Sequence, residues 1–95
     1  MSLVYIGKQI TIYIMPSRED TNCIGIAISS KAYHAVKRNE IKRKIRESYR
    51  MLAKNLKQGY HIVFLWNKKL PIEHLDFHII NQDMKNIFSK AGMLV

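Results

Sequence analysis

Cysteine, proline and acidic side chains are all scarce in this 95-residue sequence. The single cysteine, Cys23, rules out an intramolecular disulfide and any zinc cluster built on several thiolates. One lone thiol fits a reducing compartment, and the chain is read as cytoplasmic. Two prolines and four glycines leave no Pro- or Gly-rich linker, and no repeat or low-complexity tract occurs. No apolar run approaches the roughly 20 residues that span a bilayer. The N-terminus lacks the charged-then-apolar order of a secretory signal. Glycine-rich phosphate loops and serine-nucleophile motifs are also missing. Of the four histidines (His34, His61, His74, His78) only His74 and His78 stand at metal-ligand spacing. They lack a third ligand and are read as surface residues. A self-contained active site is therefore not expected, and neither is a metal or cofactor bound by the protein itself.

The acidic deficit is uneven. Sixteen Lys and Arg face seven Asp and Glu, a net charge of +9. The stretch from Lys37 to Lys57 holds nine of the basic residues and two of the acidic ones, so it carries +7 of that total. At about 100° per residue, Ile41, Ile45, Ser48, Tyr49, Leu52 and Leu56 fall on one helical arc. Asn39, Lys42, Arg43, Arg46, Arg50, Lys54 and Lys57 fall on another. A solvated helix face also carries charge, but usually mixes signs in i,i+4 pairs. Here only Glu40 (towards Lys44) and Glu47 (towards Arg43, Lys44 or Arg50) can pair. The surplus cations resemble the electrostatic footprint of a nucleic-acid binder.

Other elements follow from hydrophobic period. Leu3 to Met15 reads as a strand, with Ile10, Ile12 and Ile14 on one face and Gln9, Thr11 and Tyr13 on the other. Pro16 to Asn22 is a polar turn. Cys23 to Ser29 is a second strand, and the spacing predicts a hairpin between the two. Tyr13 reads either as a packed sheet aromatic or as a stacking platform for a single-stranded base; the residue alone favours packing. The basic helix is predicted to begin between Ala32 and Arg38, with Ser29 and Ser30 as candidate caps, and to end near Gln58 with Gly59 at the left-handed position after it. Tyr60 to Trp66, apolar on nearly both sides, is predicted to be a central strand. Asp76 caps a last helix with an apolar stripe of Ile80, Met84, Ile87 and Phe88, ending at Lys90 and Gly92. The sum is a single α+β domain over residues 1–95, a two-layer sandwich with helices on one face of a small sheet.

The run from Ala35 to Arg46 resembles the signature of the bacterial ribonuclease P protein subunit, Ala-x-x-Arg-Asn-x-(aliphatic)-Lys-Arg-x-x-Arg, at every specified position. The flanks, Gly25 to Lys31 and Gly59 to Phe64, resemble the strands on either side of that helix. The resemblance implies a fold like domain 2 of ribosomal protein S5, with a left-handed β-α-β crossover against the usual rule. It implies an RNA-binding cofactor in tRNA 5′ maturation. The RNA subunit performs the endonucleolytic cleavage with Mg2+, while the protein docks on that catalytic RNA and holds the 5′ leader of precursor tRNA. Carried over by position, the RNA-binding residues are Arg38, Asn39, Lys42, Arg43, Arg46, Arg50 and Lys31, and the leader-binding residue is Tyr13. Glu40 departs from the family, which usually has a basic residue there. Family members also begin with a basic helix bearing paired phenylalanines. This chain starts almost at its first strand, as expected of a trimmed or divergent member. Two other readings compete: a non-catalytic RNA-binding module of ribosomal or translation-factor type, and a DNA-binding helix-turn-helix protein. The isoleucine-rich strands argue against the last.

Overall fold

The computed structural model describes residues 3–28, 35–67 and 70–95. Four strands form one sheet: β1 (Leu3–Ile6), β2 (Ile10–Pro16), β3 (Cys23–Ala27) and β4 (Tyr60–Trp66). Two helices, α1 (Ala35–Leu52) and α2 (Phe77–Lys90), accompany them. The strand order is β1-β2-β4-β3, with β1–β2 and β2–β4 antiparallel and β3–β4 parallel. This is the expected α+β arrangement, with β4 in the interior of the sheet.

The predicted hairpin between the second and third strands does not form, because β4 lies between them. The physical reason is burial. Ile62, Phe64 and Trp66 are buried on one side of β4, and Val63 and Leu65 are half-buried on the other. Such a strand gains most from neighbours on both edges. The predicted single strand from Leu3 to Met15 is also interrupted. Gly7 N–H bonds Ile10 O at 2.8 Å, and the chain reverses into a β1–β2 hairpin.

That reversal is held from the opposite layer. Asp83 of α2, only 4% exposed, accepts the backbone N–H of Lys8 at 2.9 Å, Gln9 at 2.8 Å and Ile10 at 3.2 Å. A Cβ on Gly7 would lie 2.5 Å from Asp83 Cγ, so glycine is required there by the close approach. Gln9 extends the clamp, donating to His74 O and accepting from Asp76 N–H.

The core lies between the sheet and both helices. Ile10, Ile12, Ile14, Ile62 and Phe64 of the sheet meet Ile41, Ile45 and Leu52 of α1 and Ile80, Met84, Ile87 and Phe88 of α2. Phe64 sits at its centre, edge-on to Tyr49 of α1 at 5.8 Å and to Phe88 of α2 at 6.4 Å between ring centroids. Ile24, which alternates with Ile26 and Ile28 in the sequence, lies on the edge strand β3 and is exposed.

Helix α2 begins as read. The Asp76 carboxylate accepts from His78 N–H at 2.8 Å and Ile79 N–H at 3.3 Å. Its end is a Schellman turn, in which Gly92 (φ 71°) N–H bonds Ser89 O and Met93 N–H bonds Phe88 O. Helix α1 stops at Leu52, six residues before the predicted end at Gln58. Beyond it, Ala53–Asn55 form a 3-10 turn, and Leu56 is extended, buried and bridged to Leu94. Pairing with the C-terminal tail draws Leu56 out of the helix that its spacing would continue. Gly59 does have positive φ (97°), but in the turn leading into β4 rather than behind α1. Ser29, Ser30, Lys31 and His34 lie outside the described residues.

Candidate nucleic-acid interface

The rotation of α1 is fixed by its apolar spacing. Ile41, Ile45, Ser48 and Leu52 are turned into the core and buried, and the Tyr49 ring meets Phe64. Four positions of the opposite arc, Asn39, Arg43, Arg46 and Arg50, are consequently exposed along a single face, with Arg38 and Lys42 half-buried beside them. Six of the seven residues expected to bind the catalytic RNA are thus displayed by one helix. Lys31 lies outside the described residues. Lys54 is exposed on the 3-10 turn and Lys57 beyond it, so both continue the basic surface without belonging to α1.

Neither expected carboxylate pairing forms: among the described residues, neither Glu40 nor Glu47 is paired with a cation. Arg43, Arg46 and Arg50 are therefore left without carboxylate partners there. Crowded, unneutralised guanidinium groups repel one another, and a polyanion relieves that repulsion. Among the described residues of this face none stands in a nucleophile–base pair; it offers cations and one neutral amide.

The sheet's second face is different in kind. Opposite the core, register places Val4, Tyr13, Val63 and Gly25 in one row and Ile6, Thr11, Leu65 and Ala27 in the next. A concavity of about 290 Å³ opens here, lined by Val4, Ile6, Thr11, Tyr13, Ala27, Leu65, Trp66 and Asn67, without a charged side chain. Tyr13 is half-buried and makes no ring contact among the described residues, which leaves its π-face available for stacking. Asn67 fixes the rim: its Oδ1 accepts from Thr11 Oγ1 at 2.6 Å and its Nδ2 donates to Gly7 O at 2.8 Å.

The apolar wall of Val4 and Ile6 was not visible as part of this site, because Leu3 to Met15 reads as one strand. The signal that could have exposed it is Gly7 followed by polar Lys8 and Gln9. Tyr13 and α1 belong to separate surfaces: the basic helix packs on the isoleucine face, and Tyr13 stands on the other. Among the described residues no group of three or more His, Cys, Asp or Glu is placed to hold a metal ion. His74 ends a 3-10 turn and His78 lies in α2, so the two do not share one helix.

A family model described as Ribonuclease P matches residues 3–92. The chain is 37% identical over 87 residues to the ribonuclease P protein component of Caldanaerobacter subterraneus subsp. tengcongensis, covering 92% of this chain and 73% of the relative. It is 36% identical over 90 residues to that of Clostridium botulinum (strain Loch Maree), covering 94% and 79%. In fold it is similar to the RNase P protein from Thermotoga maritima, with a TM-score of 0.81 at 24% identity over 94% of this chain and 83% of that one.

Proposed function

This chain belongs to the ribonuclease P protein family, and from that premise we propose that it bridges two RNAs through two separate surfaces. As the protein subunit of a tRNA-processing endoribonuclease it has the RNA subunit as its partner. The exposed face of α1, with Arg38, Asn39, Lys42, Arg43, Arg46 and Arg50, docks on the catalytic RNA. The uncharged concavity around Tyr13 receives the 5′ leader of precursor tRNA.

The observation that carries this reading is the division of labour between the two faces. Phosphates are bound where Arg43, Arg46 and Arg50 stand without carboxylate partners among the described residues, releasing counterions from the RNA. Bases of a single strand are bound where an aromatic ring and aliphatic side chains offer a flat, neutral surface. Asn39, a neutral amide among cations, supplies a directional hydrogen bond to base or ribose. The chain's positive field lowers repulsion between the two RNAs and so favours substrate binding. The reading assigns Mg2+ to the RNA of the assembled enzyme, which performs the cleavage. The work is placed in the cytoplasm, where precursor tRNA is made, and no described helix is long and apolar enough to cross a membrane.

Reconstitution tests the proposal. With a bacterial catalytic RNA at low magnesium, adding the chain should stimulate cleavage of precursor tRNA and strengthen its binding over mature tRNA. Binding of structured RNA with no stimulation and no preference for precursor would instead favour a general RNA-binding module.

A further inference from the structure

The outward pole of α1 carries a second feature. Val36, Asn39, Glu40 and Arg43 stand at i, i+3, i+4 and i+7 and line a shallow concavity of about 290 Å³. Within it the Glu40 carboxylate is exposed and unpaired among the described residues. Val36, 79% exposed, presents an aliphatic surface to water beside it. On a helix that meets RNA phosphate, a carboxylate cannot serve as a phosphate contact. It is repelled by the backbone and satisfied only by N–H or O–H donors.

We infer that this concavity holds one unpaired guanine of the docked RNA, read by Glu40. The inference rests on the RNA-docking reading of α1. The chemistry selects the base. A carboxylate accepts two parallel N–H bonds. Guanine alone among the four RNA bases presents two adjacent N–H donors on its Watson–Crick edge, N1–H and the 2-amino group. Adenine and cytosine set an acceptor beside their amino group, and uracil flanks its one N–H with two acceptors. In a duplex that edge is occupied, so the nucleotide must be unpaired, as RNA loops and bulges provide.

The neighbours complete the recognition. Arg43 and Asn39 lie on the side of the concavity that adjoins the basic arc, where they meet the phosphate and ribose of the same nucleotide. Glu40 borders that arc, so a nucleotide anchored by its phosphate on the cations extends its base towards the carboxylate. Val36 takes the flat face of the ring. The carboxylate thus gives up general attraction for RNA and gains discrimination among bases.

The test uses four RNA hairpins of identical stem with a single bulged G, A, C or U, and a fifth with inosine, which lacks the 2-amino group. Binding is measured at several salt concentrations. The protein should bind the G hairpin about ten-fold more tightly than the A, C or U hairpins, within the range usual for a bidentate base contact, with inosine between. Glu40→Gln should bring the G hairpin down to the level of the others. Glu40→Lys should raise affinity for all five and steepen the salt dependence by about one unit while erasing the preference. Salt-sensitive binding without a G preference, or a preference that survives Glu40→Gln, would overturn the base site and leave the docking face intact. Failure to bind any hairpin would overturn both.

Discussion

Asp83 and Ser48 are both buried polar residues, and physical chemistry assigns them opposite signs. The Asp83 carboxylate accepts three backbone N–H groups of the β1–β2 turn, whose nearest residue in sequence is 73 positions away. Removing it strands those donors under α2, and each buried unsatisfied group costs on the order of 1–3 kcal/mol. Asp83→Ala should therefore lower unfolding free energy by about 3 kcal/mol or more, read from urea denaturation. Gly7→Ala should cost about 1–3 kcal/mol through its contact with the same carboxylate. Because the clash needs Asp83, the double variant should lose less than the two single losses together. The Ser48 hydroxyl is fully buried on α1 and has no hydrogen-bond partner among the described residues. Ser48→Ala should raise stability by about 1 kcal/mol in the same assay, by removing an unsatisfied group and improving helix propensity. In the sequence, Asp83 is one acid beside the Ile80, Met84, Ile87 stripe, three residues after Ile80, and no local pattern names backbone partners at the far end of the chain.

Elements were legible where a single period governs them. Ile41, Ile45 and Leu52 define the buried edge of α1 by their spacing alone, and the basic face follows by geometry. Asp76, Lys90 and Gly92 bracket α2 correctly because caps and left-handed glycines act locally. What a local period cannot carry is competition between distant segments. Leu52 and Leu56 continue helical spacing, yet Leu56 bridges Leu94 and α1 ends. The strand order likewise depends on which strand gains most from two neighbours, and the loss of the expected β2–β3 hairpin is that competition decided. The exposed cationic edge of α1 makes its own prediction. Arg43→Ala and Arg46→Ala remove exposed side chains without core contact, so thermal stability should stay within about 0.5 kcal/mol of the parent. Each should reduce the slope of log affinity for catalytic RNA against log salt by about one. An unchanged slope at either position would mean that its guanidinium does not meet phosphate.

At the scale of the whole molecule, the sheet acts as a partition. Its isoleucine face is sealed by α1 and α2, and its other face keeps Tyr13, Val4 and Ile6 open to a ligand. Packed core lies between the charged helix and the neutral concavity, with Phe64 between Tyr49 and Phe88. Two surfaces held apart by a rigid layer should bind independently, since energetic coupling falls away between distant sites with no shared partner. A thermodynamic cycle measures this directly. Tyr13→Ala should lower the preference for precursor over mature tRNA by about ten-fold, the scale of one lost base stack, while leaving the salt dependence of catalytic-RNA binding unchanged. Arg46→Ala should do the reverse. Combined, their effects on assembly and on precursor binding should add to within about 0.5 kcal/mol. A larger deviation, or equal loss of precursor and mature tRNA on changing Tyr13, would mean that the two faces serve one RNA contact rather than two.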